Sequence, residues 1–317
     1  MSLQIVAGTA NRALADSVAE AQGNESAPVT VERFPDGELR PAVDGLRGAD
    51  VYLVQPTGPP VNDYVMELLL LVDACRRAGA ARITAVVPYF GYARQDRRGR
   101  AGQAIGVCVV AEALASVGTW RLIVVDPQTV ALEAICAVEV EMLTAVPLLA
   151  RELGTGSLGE QELLDEVVVV APDLGAVKLA EHYGALLSRP VAVVRKTRLS
   201  GRRVVAEELV GDVRDRPVVI VDDMISTGAT IEAAAEVVSA HGAAPEIVVA
   251  ATHGLFVEAA AERLDRAGIH RVLVTDTVAR PPTPPMRLGV CSVAPLPADA
   301  IGRLHHDEPL DDLLARS

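Results

Sequence analysis

The chain has 317 residues, enough for two domains of the usual ~100–200 residues each. Half of the residues are hydrophobic but only 3% are aromatic, so the cores must be built from Val, Leu, Ile and Ala, a profile that suits parallel sheets between helices. A net charge of −13 argues against nucleic acid as a partner, and the apolar run 65–72 is too short to cross a membrane.

Residues 3–7 read as a strand, and Gly8, Thr9 and Asn11 as the turn and cap that open a helix. Residues 29–34 form a second short strand that ends in Phe34-Pro35-Asp36-Gly37-Glu38, a turn with acidic tips. A third strand covers 51–55. Residues 66–78 then place apolar side chains at helical spacing and stop at Gly79. The strand 83–87 leads through Pro88-Tyr89-Phe90-Gly91-Tyr92 into Arg94-Gln95-Asp96-Arg97, where a base could stack on aromatic or guanidinium planes. A helix at 104–115 and a strand at 122–125, ending in Asp126-Pro127-Gln128-Thr129, complete one α/β alternation.

The pattern then starts again. A strand at 167–170 ends in Ala171-Pro172-Asp173, and a helix begins at Val177. The strand 190–194 gives way to a basic loop, 195–203. Strands at 218–221, 246–251 and 271–275 follow, the middle one ending in Thr252-His253-Gly254, with a helix at 231–240. His253 reads as a polar residue lining a cleft. Residues 280–285, rich in proline, make a rigid non-helical connector before a strand at 288–293 and a helix at 299–305. The expected division is 1–145, 146–290 and a tail, 291–317, that packs back on the first domain. Cys75, Cys108, Cys136 and Cys291 lie far apart without a Cys-x-x-Cys pair, so buried reduced thiols are expected. The chain opens directly into a strand without a signal peptide, which makes the expected location cytoplasmic.

The stretch 218–231 carries the chemistry. Its apolar run needs no alternation if the strand is covered on both faces. Asp222 and Asp223 stand where that strand should end, and Ser226, Thr227, Gly228, Ala229 and Thr230 precede a helix. Backbone N–H groups and hydroxyls converge at such a helix start, and the helix dipole favours an anion there. The adjacent carboxylates suit sugar hydroxyls or a divalent cation. The implied ligand is a sugar phosphate; the competing reading is an ordinary turn with Asp as its cap.

This loop resembles the phosphoribosyl-diphosphate loop of the type I phosphoribosyltransferase fold, here expected twice, each copy a mainly parallel sheet flanked by helices. Phe34-Pro35-Asp36-Gly37-Glu38, Arg94-Gln95-Asp96-Arg97, Ala171-Pro172-Asp173 and the 222–230 loop stand in the order found in ribose-phosphate pyrophosphokinases. Pro60-Val61-Asn62, Met66-Glu67-Leu68-Leu69 and Ser292-Val293-Ala294-Pro295-Leu296 also look like that family. The resemblance implies transfer of the diphosphoryl group of ATP to ribose 5-phosphate, giving 5-phosphoribosyl 1-diphosphate and AMP. It places Asp222 and Asp223 on the ribose hydroxyls and residues 226–230 on the 5-phosphate. Arg94, Gln95 and Asp96 would contact ATP, with Phe34, Asp36 and Glu38 reaching the adenine from a neighbouring subunit. That arrangement implies a homo-oligomer, a dimer or a multiple of it. Lys196 and Arg198 match the cations that stabilise the transition state. Asp173 and position 128 would serve Mg²⁺.

Two departures stand out. Gln128 occupies a place where the family usually has His; an amide oxygen is a neutral and weaker ligand than a carboxylate. Gly45, Ala101, Gly102, Pro309 and Asp311 replace hydroxyl and basic groups of the family's phosphate-activated allosteric pocket, although Arg47 remains. Two other readings share the fold: a phosphoribosyltransferase, which would not need 94–97 or 34–38, and a non-catalytic regulatory paralogue.

Overall fold

A computed structural model describes residues 1–155, 166–199, 204–279 and 287–315, with backbone alone at 196–199 and 204–207. Gly201, Arg202, Arg203 and the connector 280–285 therefore lie outside the described residues. The chain divides into two compact units: Met1–Thr144 with Thr277–Ala279 and Ser292–Ser317, and Ala145–Asp276 with Arg280–Cys291.

The first unit runs β1 (Leu3–Ala7), α1 (Arg12–Ala21), β2 (Val29–Arg33), β3 (Leu39–Val43), β4 (Asp50–Val54), α2 (Val61–Arg77), β5 (Arg82–Val87), α3 (Gly106–Val117), β6 (Arg121–Val125), α4 (Ala131–Ile135) and β7 (Glu139–Leu143). Strands β1, β4, β5, β6 and β7 form an all-parallel sheet in that order, while β2 and β3 make a separate antiparallel ribbon. Asn11 caps α1 as expected, accepting from the Leu14 amide at 3.3 Å. Helix α2 begins at Val61, a turn earlier than its apolar periodicity indicated. Its first turn holds the polar Asn62 and Asp63, and Asp63 is favoured there by the helix dipole. Sheet residues Val51, Leu53, Ala85 and Val87 pack with Leu68, Leu71 and Val110 of the covering helices.

The second unit runs α5 (Val146–Gly154), β8 (Val168–Ala171), α6 (Val177–Leu187), β9 (Val191–Leu199), β10 (Val204–Val210), β11 (Val218–Ile225), α7 (Ala229–Ala240), β12 (Ile247–Gly254), α8 (Ala260–Arg266), β13 (Ile269–Thr275) and β14 (Leu288–Cys291). Its seven strands lie in the order β10-β9-β8-β11-β12-β13-β14, parallel except for the β9–β10 pair. The continuous apolar run of β11 has a direct cause. Val218 and Ile220 enter one core with Ile231 and Val238 of α7, and Val219 and Val221 enter the opposite core with Leu149 of α5 and Tyr183 of α6. Burying each such side chain contributes about 1.5–3 kcal/mol, so neither face tolerates a polar residue.

Helix α9 (Pro295–His305) returns the chain to the first unit, where it packs on α1. His305 Nδ1 meets the fully buried Asp50 carboxylate at 2.9 Å, and Arg82 Nε donates to the same carboxylate at 3.1 Å. The last described residues then continue the sheet: Thr144 N donates to Leu313 O at 3.0 Å and Ala315 N to Met142 O at 2.7 Å. The β7 edge is thereby covered, which removes a site for unwanted strand pairing.

Two expectations are corrected here. The basic stretch after Val194 is not a loop at its start. The backbone of 195–199 continues β9, because it pairs antiparallel with β10, Lys196 opposite Glu207 and Arg198 opposite Val205. Of the four thiols, all free, only Cys75 and Cys291 are buried; Cys108 and Cys136 are half-buried. Among the described residues, no helix is long and apolar enough to cross a membrane.

Candidate active site

The second sheet contains a reversal of strand order that the first does not. From β8 the chain moves outward to β9 and β10, then returns to the other side of β8 as β11 and moves away through β12 and β13. In open α/β sheets, ligands bind beyond the carboxyl ends of the strands at such a switch point. Asp173 follows β8, and the loop 222–230 closes β11, so both lie at the switch between these neighbouring strands. The first sheet advances in one direction, β1-β4-β5-β6-β7, with no reversal.

Asp222 and Asp223 are in the last part of β11, not beyond it, because parallel pairing with β12 continues to Ile225 opposite Gly254. Both are half-buried, and the Asp223 amide donates to Asp222 Oδ1 at 2.9 Å. Burial, then the charge of Asp223, push the Asp222 carboxyl well above the usual carboxylate range, and Asp173 adds to the effect. Gly228 turns the chain into α7 at φ +77°, and a Cβ there would lie 3.3 Å from the Leu264 side chain. The N-cap of α7 is Gly228, which has no side chain to cap the helix, and a helix start of this kind favours an anion. The loop is held from behind by Leu255 N to Ile225 O at 2.9 Å and Val257 N to Ser226 O at 3.1 Å.

Asp173 performs the capping role as well. Its Oδ1 accepts from Gly175 N at 2.8 Å and Ala176 N at 3.2 Å, closing a short 3₁₀ turn at Leu174–Ala176. His253 is buried within β12, opposite Met224. The backbones of Lys196 and Arg198 belong to β9, while their side chains lie outside the described residues.

In the first unit the two segments expected at ATP are built differently. The turn 34–38 joins β2 to β3, with Phe34 N to Glu38 O at 2.8 Å, Gly37 at φ +97° and Asp36 Oδ1 accepting from Glu38 N at 3.1 Å. Asp36 and Glu38 are exposed, and the Arg40 guanidinium covers one face of the Phe34 ring at 4.9 Å. Arg33 ties this ribbon to α2 through Asp63 at 3.0 Å.

Arg94, Gln95 and Asp96 follow β5, and Gln128 follows its parallel neighbour β6, so all four emerge at the same edge of the sheet. Arg94, Gln95 and Gln128 are exposed and Asp96 is half-buried. Of the aromatic run before them, Tyr89 and Phe90 are not available for stacking, being 5% and 3% exposed with Phe90 in the core, while Tyr92 is half-buried. Their apolar area is worth more in the core than at an open edge. Thr57, which folds this turn, carries no motif of its own. It is 1% exposed, accepts from Gly91 N at 2.7 Å and donates to Tyr89 O at 3.1 Å. The signal was Gly91, where any Cβ would lie 2.7 Å from the Thr57 carbonyl.

A divalent cation fits this chemistry in part. Among the described residues no three His, Cys, Asp or Glu side chains form a ready-made cage. Mg²⁺ does not need one, since it keeps several waters and binds through one or two carboxylates together with substrate phosphates. The accumulated negative charge at Asp222, Asp223 and Asp173 is the condition such an ion relieves. Gln128 belongs to the first unit and Asp173 to the second.

Residues 3–118 match the N-terminal domain of ribose phosphate pyrophosphokinase, and residues 201–315 match the phosphoribosyl synthetase-associated domain. A ribose-phosphate pyrophosphokinase of Rhodopirellula baltica is 40% identical over 316 residues, covering 98% of this chain and 98% of that protein. One from Caldanaerobacter subterraneus subsp. tengcongensis is 39% identical over 306 residues, 96% of this chain and 95% of that protein. The crystal structure of phosphoribosylpyrophosphate synthetase from Mycobacterium smegmatis aligns with a TM-score of 0.87 at 34% identity, over 97% of this chain and 100% of that one. The chain belongs to the ribose-phosphate pyrophosphokinase family.

Proposed function

We propose that this protein transfers the β,γ-diphosphoryl group of ATP to the anomeric hydroxyl of ribose 5-phosphate, releasing AMP. The observation that carries the reading is the glycine-capped start of α7 behind Asp222 and Asp223, at the strand-order switch of a chain from this family. The hydroxyl oxygen forms a bond to the β-phosphorus, the bond from that phosphorus to the oxygen of AMP breaks, and the hydroxyl proton is released. Ser226, Thr227, Gly228, Ala229 and Thr230 hold the 5-phosphate with backbone amides and hydroxyls. Asp222 and Asp223 accept from the ribose hydroxyls, and Arg94, Gln95 and Asp96 bind ATP. Lys196 and Arg198 neutralise charge that grows in the transition state. Bound Mg²⁺ would neutralise phosphate charge, with Asp173 and Gln128 as its protein partners.

The turn of half-buried Phe34 and exposed Asp36 and Glu38 suits a segment completed by a second copy of the chain, hence a homo-oligomer, a dimer or a multiple of it. The units 1–145 and 146–290 then divide ATP and ribose 5-phosphate between them, with 291–317 serving the first, in a cytoplasmic enzyme. Incubation of the protein with ATP, Mg²⁺ and ribose 5-phosphate should yield AMP and 5-phosphoribosyl 1-diphosphate. Absence of AMP formation would remove the synthase reading.

Two properties specific to this chain follow. With glutamine at the metal, Gln128→His should reach half-maximal rate at lower Mg²⁺ with unchanged products; identical magnesium titrations would take position 128 off the ion. Regulation should differ as well. Gly45 and Gly102 offer no side chain, Asp311 is exposed, and the Arg303 guanidinium is engaged by Asp299 at 2.9 Å and by Asp312. Activity should therefore not require inorganic phosphate, and ADP should compete purely with ATP. Strong activation by millimolar phosphate, or ADP inhibition that persists at saturating ATP, would overturn this.

A further inference from the structure

The loop proposed to bind ATP is shaped in part by residues outside it. Arg94 and Gln95 are exposed, and the turn that delivers them contains Tyr92 at φ +67°, a conformation a bulky residue rarely adopts unaided. Three contacts hold it. The Tyr92 hydroxyl donates to Asn62 Oδ1, in the first turn of α2. The Tyr92 carbonyl accepts from Gln95 N at 2.8 Å. Gly106, at the start of α3, admits the ring and the amide of the same loop: a Cβ there would lie 2.7 Å from Tyr92 Cδ1 and 2.8 Å from Gln95 Oε1. One turn upstream, buried Thr57 grips Gly91 N and Tyr89 O. Thr57 lies between β4 and α2 and Asn62 in the first turn of α2, and neither is part of the loop they restrain.

We propose that Asn62 and Thr57 are positioning residues for the ATP loop: Asn62 acts through the Tyr92 hydroxyl and Thr57 through Gly91, so that Arg94, Gln95 and Asp96 are preorganised. The inference rests on the reading of this loop as the ATP site. A preorganised loop gives up less freedom on binding, and its loss appears as weaker binding of that ligand alone. The strained Tyr92 backbone persists only while its surroundings over-determine it.

The test is a double-mutant cycle on the full-length protein with Asn62→Ala, Tyr92→Phe and the pair. Two quantities are read: the Kd of a non-hydrolysable ATP analogue by calorimetry, and the KM values for ATP and ribose 5-phosphate. Each single variant should weaken the analogue and raise the ATP KM about fivefold, the worth of one neutral hydrogen bond. The pair should be no worse than either single variant, and the KM for ribose 5-phosphate should stay within about twofold. Thr57→Val, which keeps the side-chain shape, should weaken ATP binding in the same selective way. Additive effects in the cycle, or equal losses for both substrates, would overturn the proposal. Tyr92→Phe is nearly isosteric, so the hydroxyl is tested even if Asn62→Ala folds poorly. If the wild-type protein forms no AMP, the proposed function falls, yet the analogue Kd still reads the cycle. Failure of the analogue to bind the wild type at all would overturn both.

Discussion

Replacing Lys196 with alanine is expected to lower kcat roughly 100-fold or more, while the KM values for ATP and ribose 5-phosphate change by no more than a few-fold. Diphosphoryl transfer develops negative charge on equatorial and leaving oxygens, and the acidic groups of β11 cannot balance it. Lys196 lies on β9, two strands from β11 in the sheet, in the arm that β9 and β10 make together. A cation on such an arm acts on the transition state more than on either bound substrate, so its removal should appear in kcat. Steady-state kinetics with each substrate varied in turn decide the matter. Unchanged kcat would take Lys196 out of the mechanism, and a loss confined to KM would make it a binding residue.

The second large effect should come from Gly228→Ala. The substitution places a methyl group 3.3 Å from Leu264 at a backbone φ of +77°, so both the space and the backbone oppose it. The first N–H groups of α7 would tilt away from the 5-phosphate. Losing one charge-assisted hydrogen bond costs about 1.5–3 kcal/mol, which corresponds to a rise of roughly 10- to 100-fold in KM for ribose 5-phosphate. The KM for ATP should move far less. An equal rise for both substrates, or none, would argue against α7 as the phosphate-binding helix.

Much of the fold was legible because burial on both faces forces composition. Val218 to Val221 could be read as a central strand from apolarity alone, and β11 is indeed covered on both sides. Its end was not legible. Asp222 and Asp223 look like a terminus in sequence, whereas pairing with β12 carries the strand past them to Ile225. The short ribbon strand Leu39–Val43 and the edge strand Glu139–Leu143 escaped notice, since neither has a buried run. The charges from Arg195 onward resemble a solvated segment, while the strand there is set by partners in β10.

For the candidate site, local motifs marked which residues carry chemistry but not what supports them. Tyr89 and Phe90 read as a stacking platform and are core. Thr57 has no motif of its own and Asn62 stands in Pro60-Val61-Asn62 without any sign of its partner; their importance depends on Gly91 and Tyr92, some thirty residues away in sequence, coming against them in space. Asp173, which the resemblance places at Mg²⁺, also caps the turn that follows through its Oδ1, a role that a lone Asp after a strand does not announce. The switch between β8 and β11 could not be seen at all without strand order.

The central claim is that the β,γ-diphosphoryl group moves as a unit to ribose 5-phosphate. It is tested most directly with ATP radiolabelled at the β-phosphorus, incubated with the protein, Mg²⁺ and ribose 5-phosphate, and separated into products. The account predicts label in 5-phosphoribosyl 1-diphosphate and unlabelled AMP, formed in equal amounts. Labelled ADP, or label released as free diphosphate without a ribose product, would contradict it.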